Sequence, residues 1–335
     1  MSDPVLTVDD LRVGYRMEDA EIEIVSGVSF QLERGEALGL AGESGCGKTT
    51  TALAIMQLLD PFLQRFSGTI DLAGEKGVVH MHRRTERGMR DLRWAEISLV
   101  FQGARNALDP MQRISRQIGE AIRLHDPEAD RPAVRERVGE LLERVGITPE
   151  QADQYPHEFS GGMRQRVMIA LALACDPEVI IADEPTTALD VMTQAQVLAL
   201  LDELRRDLGL SLLLITHDLA VIAETCERVA VMYAGRIVEA GPTATVFAVP
   251  QHPYTQRLLG AFPQVGGERA LPPAIPGVPP DPASPPPGCP FHPRCQLARE
   301  VCAHGAVALR SVGDDHESAC LFAPLQQTAV TGAFR

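Results

Sequence analysis

"GESGCGKT", residues 42–49, matches the pattern G-x-x-x-x-G-K-[ST]. The short apolar run "ALGLAG" leads into it, and a helical stretch from about Lys48 to Leu59 leads out. A loop set between strand and helix in this way holds an oligophosphate. The glycines let the backbone curl so that successive N–H groups of Gly42, Glu43, Ser44, Gly45, Cys46 and Gly47 point inward. The start of the following helix adds partial positive charge. Lys48 then reaches the β- and γ-phosphates, and Thr49 binds magnesium. Cys46 reads as a small filler inside the loop.

Two further strand ends carry chemistry. "EVIIADEP" (178–185) is an apolar strand running into two carboxylates. Asp183, at the strand's end, can hold magnesium through water. Glu184 is placed to polarise a water for attack on a γ-phosphate, a general-base role typically worth about 10²–10⁴-fold. The remaining acceleration of such a reaction comes from positioning and charge stabilisation. "LLLITHDL" (212–219) ends a buried strand on His217, a candidate sensor of the γ-phosphate. Gln102 closes the strand "ISLVFQ" (97–102). In "FSGGMRQR" (159–166) a long apolar helix begins on Gly161 and Gly162, although glycine is a poor helix former. Something must come very close to the backbone there.

The chain has 335 residues, 45% hydrophobic and 23% charged, which is ordinary for a globular protein. Its net charge of −14 argues against nucleic acid as the main partner. The basic stretch "HRRTERGMRDLR" (82–93) reads as a solvated surface. No apolar run approaches the ~18 residues of a membrane span. The start "MSDPVLTVDD" has neither a basic nor an apolar segment of a secretory signal, so a cytosolic location is expected. There the seven cysteines are thiols or metal ligands rather than disulfides.

Strands are expected over 6–15, 27–42, 67–74 and 97–102, a helical block from about 112 to 175 with breaks at "HDPEADRP" and "GITPE", and then alternating strand and helix. "RVAVMYAGRIVEAG" (228–241) reads as a hairpin. The alternation implies an α/β fold with a mainly parallel sheet covered on both faces. The proline-rich stretch "LPPAIPGVPPDPASPPPG" (271–288) is extended and stiff, and separates the core from a small cysteine-bearing tail.

The phosphate loop, Gln102, "FSGGMRQR", "IIADEP", "TTALD" and His217 occur in a fixed order that resembles the nucleotide-binding subunit of an ATP-binding cassette (ABC) transporter over residues 5–250. The resemblance implies a P-loop NTPase cassette with a RecA-like parallel core sheet, an antiparallel N-terminal β subdomain and an inserted helical subdomain at about 104–175. Residues 1–248 would form the nucleotide-binding domain. The resemblance also supplies an answer for the glycine pair. Ser160, Gly161 and Gly162 form a signature motif that caps the γ-phosphate of ATP held by a second, facing subunit, and a β-carbon would hold that phosphate off. "FSGGM" stands where many relatives have "LSGGQ", with the serine and both glycines intact.

By position, Tyr15 would stack on the adenine, although an aromatic ending an early strand is also common as core. Gly42, Gly45, Gly47, Lys48, Thr49 and Thr50 would hold phosphates and magnesium. Gln102 and Asp183 would serve the magnesium, Glu184 would be the base, His217 would hold the γ-phosphate, and Asp190 would bridge two active sites across a dimer. "GARNALDP" (103–110) would lie in the groove that receives a coupling helix from the membrane subunits.

"VPQHPYTQRLLGAFP" (249–263), the proline-rich stretch and "GCPFHPRC" resemble ATPases of dipeptide and oligopeptide importers, some of whose relatives carry nickel chelates or other small solutes. That branch implies a C-terminal extension over 249–335, two membrane-spanning permease subunits, a solute-binding protein, a second and different ATPase chain, and a place on the cytoplasmic face of the membrane. In the extension Cys289, Cys295, Cys302 and Cys320 follow C-x₅-C-x₆-C-x₁₇-C. A short proline-rich segment with few large apolar residues needs a cross-linker to fold. Zinc prefers closer pairs, and a 4Fe–4S cluster tolerates more varied spacing. The resemblance favours the cluster, as a structural or redox-sensing element remote from hydrolysis. Zinc, with His292, His304 and His316 nearby, and a metal-free tail are the alternatives. A soluble ABC ATPase with a redox-sensing role is the competing function.

Overall fold

The computed structural model describes residues 4–17, 20–60, 63–74, 77–103, 107–261, 275–305 and 307–325. Its chain divides into two compact units, one of Met1–Leu6, Gln31–Ala37 and Asp71–Ile215, the other of Thr7–Phe30, Leu38–Ile70 and Thr216–Arg335. In chain order the opening elements are β1 (Pro4–Met17), β2 (Ala20–Glu33), β3 (Ala37–Ala41), α1 (Lys48–Ile55), β4 (Leu63–Gly74), β5 (Gly77–His80), α2 (Glu86–Arg90) and β6 (Ile97–Val100). The middle holds α3 (Ile114–His125), α4 (Arg131–Arg144), α5 (Gly161–Ala172), β7 (Val179–Asp183), α6 (Val191–Leu208) and β8 (Ser211–Thr216). Then follow α7 (Leu219–Thr225), β9 (Arg228–Tyr233), β10 (Arg236–Pro242), α8 (Thr243–Ala248), α9 (Pro253–Gly260), β11 (Arg310–Gly313) and β12 (His316–Ser318).

In the first unit β6, β7 and β8 pair in parallel, with Val100 opposite Ala182 and Asp183 opposite Ile215. Every residue of β7 and β8 is buried, as the apolar runs "VIIA" and "LLLI" within them require of parallel strands covered on both faces. The helical block resolves into α3, α4 and α5, with the breaks where the sequence places them. Asp130 caps α4 by accepting from the Ala133 N–H, and Pro132 fits the first turn, where its missing N–H costs nothing. Gly209, with φ 67°, ends α6 in the left-handed conformation.

In the second unit β3 runs parallel to β9, and β9 turns through Ala234 and Gly235, both at positive φ, into the antiparallel β10. β12 pairs antiparallel with β10, and β11 with β12. The core strands are therefore mixed rather than parallel throughout. The tail also contributes two of them, a pairing the sequence reading does not foresee. Its signal is the turn at Asp314–Asp315 between two short polar strands, with Asp315 at φ 51°. The N-terminal strands form a separate antiparallel sheet in the order β2-β1-β4-β5.

Three expectations shift in detail. α1 ends at Ile55 rather than near Leu59, because Gln57 takes φ 49°. β6 ends at Val100, so Gln102 stands two residues beyond its strand. The proline-rich stretch separates core from tail along the chain but not in space. Pro279, Pro282 and Pro285 line a cavity whose other wall is Glu43, Ser44 and Cys46. Ala104, Arg105 and Asn106 of "GARNALDP", residues 271–274 of the linker and residues 326–335 lie outside the described residues.

Candidate nucleotide site and cysteine extension

The phosphate loop leaves the fully buried β3 and enters α1. No side chain caps the start of α1 and no acidic residue lies in its first turn, which leaves the helix end suited to an anion. Gly47 forms the N-cap at φ 105°, and a Cβ there would stand 2.9 Å from the Ile24 carbonyl oxygen. Only glycine fits that turn. Lys48 is buried, and its Nζ donates to the carbonyls of Gly42 (2.7 Å) and Glu43 (3.0 Å). Cys46 is buried with its Sγ 3.7 Å from Lys48 Nζ, and burial pushes its thiol pKa up, as befits a filler. Thr49 and Thr50 follow on the first turn of α1, and Tyr15 is half-buried on β1.

Glu43 is held from the C-terminal side of the chain. The Glu43 N–H donates to Tyr254 Oη (2.9 Å), and Arg294 grips the Glu43 carboxylate with both terminal nitrogens (2.8 and 3.1 Å). Neither residue carries a role in the sequence reading, although both lie in stretches quoted there, "QHPYTQ" and "CPFHPRC". Through Arg294, the residue before Cys295, the cysteine-bearing segment reaches the phosphate loop.

In the first unit, Asp183 ends β7 and is 4% exposed. Glu184 follows at φ 43°, and its N–H donates to the Ile215 carbonyl (2.8 Å). A non-glycine residue in that region is strained. Gln102 Nε2 and Thr187 Oγ1 each donate to Glu184 Oε2 at 2.8 Å. Parallel pairing of β6 with β7 brings Gln102 and Glu184 together, since each lies two residues beyond the Val100–Ala182 pair. Ser160 caps α5 by accepting from the Met163 N–H at 3.3 Å. Asp190 caps α6 and accepts from the Thr193 N–H (3.0 Å) and Oγ1 (2.7 Å), bonds that hold its carboxyl below the usual range.

Gly162 has a reason inside the chain. A Cβ on it would overlap the Thr193 methyl, so α5 and α6 approach closely only because Gly162 is bare. At Gly161 a Cβ would make an ordinary 3.4 Å contact with Leu189, so the chain itself does not require glycine there. In the second unit His217 is exposed just after β8, ahead of α7, whose N-cap Asp218 accepts from the Ala220 N–H.

Cys289, Cys295, Cys302 and Cys320 line one cavity, walled by Phe291 and Phe322. All seven cysteines are free. Burial pushes the Cys289 thiol pKa up to about 11 and raises those of Cys295 and Cys320, with neighbouring thiols adding to the rise. Four soft sulfur donors at one cavity suit an iron–sulfur or zinc group in chemistry. Among the described residues, however, no group of three or more His, Cys, Asp or Glu side chains is drawn into a metal-holding arrangement. No helix among them is long and apolar enough to cross a membrane.

A glycine-formed phosphate loop before an uncapped helix, with a buried aspartate and a glutamine-held glutamate after apolar parallel strands, defines a P-loop nucleotide hydrolase. Comparison narrows the class. Residues 25–187 match the ABC transporter family, and residues 238–302 match the oligopeptide/dipeptide transporter C-terminal region. The chain is 46% identical over 300 residues to the dipeptide transport ATP-binding protein DppD of Bacillus subtilis, covering 89% of this chain and 88% of that one. It is 45% identical over 332 residues to a putative peptide import ATP-binding protein of Brucella ovis, covering 95% and 97%. Among solved structures, the dimeric post-hydrolysis ATP-binding cassette MJ0796 bound to ADP and phosphate aligns with a TM-score of 0.62 and 26% identity, over 71% of this chain and 98% of that one.

The chain belongs to the ABC transporter family, as an ATP-hydrolysing subunit with the oligopeptide/dipeptide transporter C-terminal region. The relatives named here are import and transport subunits, and they lend no support to a soluble redox-sensing ATPase.

Proposed function

We propose that this subunit powers the import of dipeptides or oligopeptides from the cytoplasmic face of the membrane. It would work beside two permease subunits, a solute-binding protein and a second, different ATPase chain. Residues 1–248 form the nucleotide-binding domain, with the helical subdomain at about 104–175, and residues 249–335 form the extension. The backbone from Gly42 to Gly47, with Lys48, Thr49 and Thr50, holds the phosphates, and Tyr15 carries the adenine. Thr49, Gln102 and Asp183 hold magnesium, which supplies charge neutralisation at the phosphates. Glu184 takes the proton of the attacking water, and His217 holds the γ-phosphate. Ser160, Gly161 and Gly162 cap the ATP of the facing subunit, and Asp190 bridges the two sites. Closure on ATP and reopening on hydrolysis switch the permeases between their inward-open and outward-open states.

The observation that carries this reading is the Gln102–Glu184 bond at the end of β7. A carboxylate oriented by an amide beside a buried aspartate is the arrangement a water-activating base requires. In the extension, the four thiols hold a 4Fe–4S cluster, with zinc as the second reading. Anaerobic purification of the complex from membranes, with mass identification of every subunit and assay of iron and acid-labile sulfide, tests both statements. Two hydrophobic subunits, a second ATPase and iron with sulfide in equal amounts are expected, together with labelled-dipeptide uptake by cells carrying the complex. A chain that never co-purifies with membrane subunits overturns the importer reading, and a colourless protein with one zinc per chain overturns the cluster.

A further inference from the structure

Glu43 is a strange residue to find in a polyphosphate cradle. It places a carboxylate in the loop that must receive an anion of several negative charges, and an unpaired charge of the same sign there opposes binding. The chain answers with Arg294. Its Nη1 and Nη2 form a fork on the two carboxylate oxygens at 2.8 and 3.1 Å, the bidentate geometry that only arginine supplies. The arginine side chain is 6% exposed and that of Glu43 22% exposed, so the pair is shielded from bulk screening.

The fork is itself fixed on every side. Arg294 Nε donates to the Pro276 carbonyl at 2.9 Å, and Nη1 also reaches Tyr233 Oη at 3.2 Å. The guanidinium carbon lies 5.8 Å from the Tyr233 ring centroid and 6.0 Å from that of Phe291. Beneath it, Tyr233, Tyr254 and Phe291 form a three-ring cluster with centroids 4.6, 5.2 and 5.4 Å apart, and each ring is almost wholly buried. Tyr254 accepts from the Glu43 N–H, while the Glu43 carbonyl accepts from Lys48 Nζ. One loop residue is thus clamped at its backbone and side chain by the extension, and the same residue carries a contact of the loop lysine. Phe291 also walls the four-thiol cavity, so the cluster of rings has the cysteine element on one side and the phosphate loop on the other.

We infer that Arg294 is a positioning residue for ATP binding: by neutralising and holding Glu43 it makes the affinity of the phosphate loop depend on an ordered C-terminal extension. The inference rests on the ATP-binding reading of residues 42–49 and deepens it. Arg294 works at one remove. It acts through Glu43, first by cancelling a charge and second by holding the loop in the shape that presents Lys48. An extension that loosens, for whatever reason, releases the fork and lowers nucleotide affinity, while the catalytic carboxylates are untouched.

The test is a thermodynamic cycle on the full-length chain, titrated calorimetrically with magnesium and the non-hydrolysable analogue AMP-PNP. Arg294→Gln is expected to weaken binding about tenfold, because the Glu43 carboxylate left unpaired in the loop then opposes the polyphosphate. Arg294→Lys, which keeps the charge but not the fork, is expected to lose about threefold. The deciding comparison is made in a Glu43→Gln background. There is no carboxylate left to neutralise, so adding Arg294→Gln is expected to change the affinity by less than about twofold. In the assembled complex the Arg294→Gln loss falls on KM for ATP rather than on kcat.

A purely structural role would give the same loss in both backgrounds, and that result overturns the inference. So does unchanged binding by Arg294→Gln. If Arg294→Gln fails to fold, Arg294→Lys measured with and without Glu43→Gln completes the cycle. A wild-type chain that does not bind AMP-PNP overturns the nucleotide reading itself, and this inference with it.

Discussion

Glu239 has no exposed surface, yet it carries a carboxylate on β10. Its oxygens accept from the backbone N–H groups of Gln251 (2.5 Å) and His252 (2.8 Å) and from His316 Nε2 (2.8 Å). Those donors start α9, which carries Tyr254, and open β12. One buried acid therefore ties the hairpin to two separate pieces of the extension. Glu239→Ala leaves two backbone donors and an imidazole without their acceptor, a loss of about 3 kcal/mol for a buried hydrogen-bonded charge. Thermal unfolding of the full chain is expected to fall by about 5 °C or more, and Glu239→Gln by less, since an amide oxygen still accepts. Equal midpoints for the two variants would show that the acceptor is not what matters. None of this is legible in "RIVEAG", which by itself reads only as one arm of a hairpin. The burial of Glu239 is decided by residues 12 and 77 positions away. Lys48, Asp183 and Glu184 are legible because backbone geometry alone fixes their places at a strand end or helix start.

At the scale of the element, the helix α5 shows how one sequence feature can answer to two demands. Its paired glycines imply a close approach, and the chain makes one at Gly162 through Thr193 of α6. Thr193 cannot easily yield, since its Oγ1 is bonded to Asp190 and its N–H to the same side chain. Gly162→Ala is therefore expected to cost about 1–3 kcal/mol through overpacking. The double change with Thr193→Ser removes the obstructing methyl, keeps the hydroxyl bond, and is expected to recover most of the lost melting temperature. Gly161→Ala meets no such obstacle and is expected to melt near wild type while losing ATP turnover, which separates packing from phosphate capping. Melting curves and ATPase rates of the four proteins decide the matter: a Gly161→Ala protein with normal turnover removes the capping role, and an unrescued Gly162→Ala removes the Thr193 explanation. The helices and buried strands of this region are readable from apolar runs and caps. The β11–β12 pair is not, because its strands are short and polar and gain their stability from β10.

For the whole molecule, the order of motifs fixes the cassette, while the way the extension folds back on the phosphate loop depends on contacts such as Arg294 to Glu43, 251 residues apart, which no local pattern announces. The order of motifs also implies that ATP joins two chains, and charge sets the terms. This chain carries a net −14, so the charge argument holds for two copies of it, the pair that the variant forms when studied alone. Two such chains repel at long range, so in the proposed function closure draws on the contacts each makes to the other's ATP, and it is expected to be lost once hydrolysis removes the γ-phosphate. Glu184→Gln keeps the Gln102 and Thr187 contacts possible but removes the base. It is expected to bind ATP, to lose turnover by at least about 10²-fold, and to accumulate as a closed pair. Because repulsion between like-charged chains is screened by salt, that pair is expected to be tighter at 300 mM than at 50 mM salt with saturating ATP, opposite to an interface built on attracting charges. Sedimentation of the variant with ATP reads both. If it stays monomeric alone yet pairs when the second ATPase of the complex is added, the facing chain is a different one. If it hydrolyses ATP at the wild-type rate, Glu184 is not the base and the water is activated elsewhere.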